Sequence, residues 1–120
     1  MNIELESISG KSLLSLNEER LDAQNAGELK DYLLQAIENG ATALIIDLSK
    51  VGFIDSSGLG ALVSGLKNAN LCHGSLVIAG LQPKVRWMFE LSCLHRVFEI
   101  FHNRQEALDH SKSLNPNKSD

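Results

Sequence analysis

The sequence predicts an α/β fold, a single domain built from a mixed, mainly parallel sheet of about five strands packed with about four helices. Three observations carry that expectation. Residues 43–48 and 75–79 are short, nearly unbroken apolar runs, rich in branched side chains, as in strands covered on both faces. The stretches between and around them carry apolar residues at helical spacing. The chain has 120 residues, 43% of them hydrophobic, which suffices for one compact core and is too few for two ordinary domains.

At the start, residues 2–8 alternate apolar and polar, with Ile3 and Leu5 on one face and Ile8 slightly out of phase, the period of a half-buried strand. Ser9-Gly10-Lys11 is a turn signal, so residues 12–16 return as the second strand of a hairpin. Residues 23–39 place Ala26, Leu29, Leu33, Ala36 and Ile37 on one helical stripe that closes on Asn39-Gly40. The run 43–48 then reads as the central strand. After a connection over 49–54, residues 57–69 set Leu59, Leu62, Val63, Leu66 and Ala69 on one helical face. Gly58, Gly60 and Gly65 weaken that helix by about 1 kcal/mol each relative to alanine, which close backbone packing would explain. His73-Gly74 ends it, and 75–79 is the next buried strand. Pro83 suits the first turn of a third helix with Val85, Met88, Phe89 and Ser92 or Cys93 at helical spacing. A short strand over 97–100 and a last helix over 103–111 complete the domain, expected over residues 1–111, with a frayed polar tail over 112–120. The order implies later strands that run parallel through right-handed crossovers, and no internal repeat is present.

Composition narrows the function. A net charge of −4 and a pI near 5.5 supply no basic field for a phosphate backbone, so direct nucleic-acid binding is not expected. No apolar run approaches the length needed to cross a bilayer, and Met1-Asn2-Ile3-Glu4-Leu5-Glu6 is acidic and alternating, unlike a signal peptide. The expectation is a cytoplasmic protein without membrane insertion. Cys72 and Cys93 form no Cys-x-x-Cys pair and read as buried, reduced thiols. His73, His95, His102 and His110 are scattered singly and read as surface or cap residues, so neither a metal ligand set nor a catalytic base emerges.

In open α/β sheets, sites gather where strands end and helices begin. Asp55-Ser56-Ser57-Gly58-Leu59-Gly60 lies at such a junction, although Asp and Ser at that place also meet the needs of a helix N-cap, and spacing alone leaves both readings open. The serines lack a Gly-x-Ser-x-Gly frame, and no Gly-Lys-Ser or Gly-Lys-Thr marks a phosphate loop. No cofactor motif is present, and the chain is not expected to be an enzyme; a small nucleotide-binding or weakly hydrolytic domain is a minor alternative. Trp87 and Phe89 on the third helix form a possible interaction patch, one of the two being free to face the core. The charges Glu18, Glu19, Arg20, Asp22, Glu28, Lys30 and Asp31 read mostly as a solvated face, with Asp22 the exception because Leu21-Asp22-Ala23 precedes the first helix as Asp55 precedes the second.

Four blocks, in this order and spacing, resemble one family: Leu21-Asp22-Ala23, Ile45-Ile46-Asp47-Leu48, Phe53 to Gly60, and Pro83 to Ser92. The chain is similar over roughly Ile3 to Leu108 to STAS domains, and among them to the stand-alone anti-sigma factor antagonists. The resemblance implies a substrate rather than a catalyst. Its partners would be a serine-kinase anti-sigma factor, which phosphorylates the serine after the motif's Asp, and a PP2C-type serine phosphatase, which removes the phosphate. That serine is Ser56 here, with Ser57 as the less favoured neighbour, and Asp22, Asp55, Ser56, Ser57, Gly58 and Leu59 would form the partner-binding set. The alternative implied by the same resemblance is a STAS interaction subunit of a larger stressosome-like or inner-membrane lipid-transport complex. Two departures stand out: Glu19 occupies a position that is often glycine in the family, and Cys93 follows the Ser at the end of the third helix where glycine is common.

Overall fold

A computed structural model describes residues 1–113. In chain order the elements are β1 (Ile3–Ile8), β2 (Lys11–Leu16), β3 (Arg20–Leu21), α1 (Ala26–Glu38), β4 (Ala43–Asp47), β5 (Phe53–Ile54), α2 (Ser56–Leu71), β6 (Ser75–Ala79), α3 (Pro83–Leu91), a 3-10 turn (Leu94–Arg96), β7 (Ile100–Phe101) and α4 (Arg104–Ser113). The main sheet has the order β1-β2-β4-β6-β7; β1 and β2 are antiparallel and the remaining pairs are parallel. The expected mixed, mainly parallel sheet is therefore present, with β4 at its centre.

Strand periodicity divides the core in two. Leu14, Leu44, Ile46, Leu76 and Ile78 point to the side covered by α1, α2 and α3, whereas Leu13, Ile45, Val77 and Ala79 meet Ala107 of α4 on the other. Leu44, Ile45, Ile46, Val77 and Ile78 are all buried, which is why these runs show no apolar-polar alternation. β1 is an edge strand with a mostly exposed pattern, and Leu5 remains 49% exposed despite its place in the alternation. The hairpin turns through Ser9 (φ 52°) and Gly10 (φ 82°), the two positive φ angles that match the twist of a two-residue turn.

One polar cluster ties the layers together. Asp47, 5% exposed, accepts the Arg104 Nε–H at 2.7 Å and the Ser49 N–H at 2.9 Å, and Arg104 also donates to Ser15 Oγ at 2.8 Å. The buried carboxylate thus has the partners that make its desolvation tolerable, and they bind the start of α4 to the ends of β2 and β4.

Several sequence expectations need correction. The first helix starts at Ala26 rather than at residue 23, because residues 22–25 form a turn stabilised by side chains of Asp22 and Asn25. The strand expected over 97–100 is displaced: Leu94–Arg96 is a 3-10 turn, Phe98 packs edge-on against Phe89 with centroids 5.7 Å apart, and pairing begins only at Ile100. Burying Phe98 in the core outweighs extension of the strand. The tail expected from residue 112 lies outside the described residues beyond Ser113, to which α4 extends. Gly58 and Gly65 do sit against neighbouring side chains too closely for a Cβ, but Gly60 has open space around it, so packing does not account for its presence.

Both cysteines are exposed, not buried. Cys72 caps α2 and Cys93 follows α3, and each terminates a helix at the surface where neither face of the core can reach it. Cys93 adopts the left-handed conformation (φ 58°, ψ 17°), the cap geometry in which glycine is favoured. A left-handed L-residue is strained by about 1–2 kcal/mol, partly offset in a glycine variant by greater freedom of its unfolded chain. Cys93→Gly should therefore raise unfolding free energy by about 0.5–1 kcal/mol in urea denaturation; an unchanged or lower value would show that this cap is not under strain.

Candidate functional site

The site grows from two strands too short to show a period. Arg20 and Leu21 pair in parallel with Phe53 and Ile54, forming a two-stranded ribbon apart from the main sheet. Glu19 supplies the entry: its carbonyl accepts the Gly52 N–H at 2.8 Å and the Phe53 N–H at 3.2 Å. Glu19 does not need a positive φ, so a non-glycine residue fits there, and its exposed side chain adds an acid to the rim. The ribbon ends with the Asp55 N–H donating to Leu21 C=O at 3.3 Å.

Asp55 then does two things with one carboxylate. As the N-cap of α2, in extended conformation (φ −117°, ψ −173°), it accepts the Gly58 N–H on Oδ1 at 3.1 Å. Its Oδ2 accepts the Ala23 N–H at 3.2 Å, which fastens the loop before α1 to the start of α2. Gly58 is required by this approach: a Cβ there would lie 2.6 Å from Leu21 O and 2.8 Å from Ile54 Cγ1. The cap reading of the sequence and the site reading therefore coincide in one residue.

Ser56 and Ser57 are both exposed in the first turn of α2, where the helix dipole favours negative charge. Gly58 and Leu59 are buried. Of the six residues that sequence resemblance groups together, these two face inward and shape the site from below, while Asp22, Asp55, Ser56 and Ser57 reach its surface. Asp22 does not cap α1 directly; its Oδ1 accepts the Gln24 N–H at 3.0 Å and its Oδ2 accepts Arg20 Nε–H at 3.1 Å. The Arg20 hydrogen bond, followed by that of the Gln24 N–H, holds the Asp22 carboxyl below the ordinary carboxylate range. Any stability this contributes is present above the unfolded-state value and lost as pH falls through the lower folded value, so Asp22 is charged at neutral pH.

Arg20 also stacks over Phe53, its guanidinium 4.2 Å from the ring centroid. Its place in a run of mixed charges gave no sign of this role. On the far side of Phe53, Trp87 and Met88 of α3 face Asp55 and Ser56 across a groove, while Phe89 is wholly buried. The Trp87–Phe89 pair is thus divided between surface and core. Among the described residues, no group of three or more His, Cys, Asp or Glu side chains could hold a metal ion, and no helix is long and apolar enough to cross a membrane.

The sequence profile of the STAS domain matches residues 2–107. The chain belongs to the STAS domain family. This STAS domain is 32% identical over 80 residues to the anti-sigma-B factor antagonist of Listeria monocytogenes, covering 67% of the chain and 70% of that protein. It is 27% identical over 109 residues to the anti-sigma F factor antagonist of Paenibacillus polymyxa, covering 90% and 92%. In fold it is similar to the Bacillus cell fate determinant SpoIIAA in its phosphorylated form, with a TM-score of 0.71, 22% identity and coverage of 92% and 99%.

In this STAS domain the two bonds of Asp55 can be separated by substitution. Asp55→Ala removes both and should cost about 1–2 kcal/mol in urea unfolding. Asp55→Asn keeps one acceptor for the α2 cap and turns an NH2 toward the Ala23 N–H, so it should lose the bridge and fall between the other two. Wild-type stability in both variants would contradict the bridging geometry.

Proposed function

We propose that this protein is an anti-sigma factor antagonist controlled by phosphorylation of Ser56. The unmodified form binds a serine-kinase anti-sigma factor and so releases a sigma factor; phosphate on Ser56 blocks that docking, and a PP2C-type phosphatase restores it. The observation that carries the reading is an exposed serine at the head of α2, next to the Asp55 that caps the helix through the Gly58 N–H and ties it to the Ala23 N–H, where Asp22 and Glu19 add acids to the bordering loop. The names of the antagonists from Listeria and Paenibacillus, and the phosphorylated form of SpoIIAA, support it. In this reading the contact set is Asp22, Asp55, Ser56 and Ser57, with Gly58 and Leu59 as its internal support.

Electrostatics explains why one phosphate would suffice. It adds about −1.5 to −2 charges. Left in water at the start of α2 it meets a favourable dipole of about 0.3–1 kcal/mol, so the fold tolerates it. Covered by a partner beside Asp22 and Asp55, the same group must be desolvated next to like charge, and an unpaired buried charge costs several kcal/mol. A loss of about 3 kcal/mol weakens binding more than a hundredfold.

Binding of Ser56→Ala and Ser56→Asp to the serine-kinase anti-sigma factor tests the reading. Ser56→Ala should bind as wild type and Ser56→Asp about tenfold or more weaker; equal affinity would contradict charge control. Intact mass after incubation with that kinase and ATP should show a single phosphate, mapped to Ser56 and not to Ser57.

A further inference from the structure

α3 buries Val85 and Phe89, which turns its opposite face outward. Trp87 on that face is 59% exposed, and Phe53 across from it 39%. With Met88, Lys84, Asp55 and Ser56 they line a groove of about 480 Å3. Isolated apolar residues at a surface are ordinary, but an exposed Trp and Phe sharing one concavity with the half-buried Met88 are the side chains that anchor protein interfaces.

Two properties of the groove say what covers it. Asp55 and Ser56 belong to its wall, so a partner that reaches Ser56 lies over Phe53 and Trp87 as well. Its charge is equally informative. The Asp55 carboxylate is occupied by the Gly58 and Ala23 N–H groups, whereas Lys84 enters none of the ion pairs found among the described residues. The groove therefore offers an apolar floor, the Asp55 carboxylate already bonded within the fold, and one cation that enters no ion pair among the described residues. Residues 114–120 of the chain, Leu-Asn-Pro-Asn-Lys-Ser-Asp, offer only a leucine and a proline as apolar side chains, little to cover an apolar floor.

We propose that this groove receives an apolar segment of the anti-sigma factor that carries a carboxylate for Lys84. The inference rests on the reading that the chain binds such a factor at Ser56. It adds a second mode of control: a phosphate on Ser56 stands on the same wall and contends with the partner's carboxylate for Lys84.

Trp87 is the only tryptophan in the chain, so protein labelled with 5-fluorotryptophan gives one 19F resonance from the groove itself. The probe is the serine kinase that phosphorylates Ser56, held with ADP so that no transfer occurs. Its addition should shift that resonance. Trp87→Ala should weaken binding about thirtyfold and Lys84→Glu about tenfold, while Lys84→Arg stays within about threefold. Val97→Ala, at a site 54% exposed but outside the groove, should stay within about twofold of wild type. Binding with an unmoved resonance and an unaffected Trp87→Ala overturns the inference and leaves the reading of Ser56 intact. No binding by the wild-type chain overturns both. A resonance that shifts with the protein's own concentration, or on removal of residues 114–120, assigns the groove to a second copy or to the chain's own end and overturns the inference. A shifted resonance with equal affinity of Ser56→Ala and Ser56→Asp supports the docking and contradicts the phosphate control.

Discussion

The carboxylate of Asp55 is the constraint on which the surface of this domain depends. One oxygen caps α2 through Gly58, and the other reaches Ala23 across the sequence. Without that bridge, the loop before α1 would be tied to the head of α2 only through the two-residue ribbon and the packing of Gly58 on Leu21. With it, Ser56, Asp22 and Phe53 form one surface of defined shape. The absence of a Cβ at Gly58 is the steric counterpart, because it lets α2 press on the Leu21 backbone.

Charge is distributed over that surface in a way that favours regulation. Arg20 is engaged twice, by Asp22 and by the Phe53 ring, and so is poorly placed to neutralise a new anion. Asp22 and Asp55 are both satisfied by donors within the fold, which leaves the acidity of the surface as a standing field rather than a set of unmet bonds. A phosphate would find the helix dipole and Lys84 on one side and carboxylates on the other. The small difference between these surroundings in water and under a partner is what the switch would exploit. The Asp47–Arg104–Ser15 cluster, by contrast, joins buried Asp47 and Ser15 of the sheet to the exposed Arg104 at the start of α4 and serves cohesion.

Much of this fold was legible in the sequence because its strands are buried on both faces. The runs at 43–48 and 75–79 are too short for helices and rich in branched side chains, so they read as strands of a covered sheet, and Pro83 marked the first turn of its helix. What was not legible follows from physical scale. Strands of two residues, such as Arg20–Leu21 and Phe53–Ile54, have no period to detect. The Asp22 turn looked like a helix start because Asp is equally suited to capping and to bonding its own backbone two residues on. Spacing alone could not separate cap from site at Asp55, since the residue is both. The exposure of Trp87 was legible in part: Phe89 falls on the stripe of Val85 and Met88, and a residue two positions before it on a helix must diverge from that stripe. The cysteines were misplaced because composition gives only an average, and both sit at helix ends.

The central claim is that the Asp55-held surface changes its charge and not its shape when Ser56 is modified. It is tested most directly by installing phosphoserine at position 56 during synthesis and comparing amide 1H–15N spectra of the two forms. The account predicts shifts confined to residues near the ribbon, the head of α2 and the first turns of α3, with the core amides of β4 and β6 unmoved. Widespread shifts through the main sheet would mean that phosphorylation works by refolding the domain, and would contradict it.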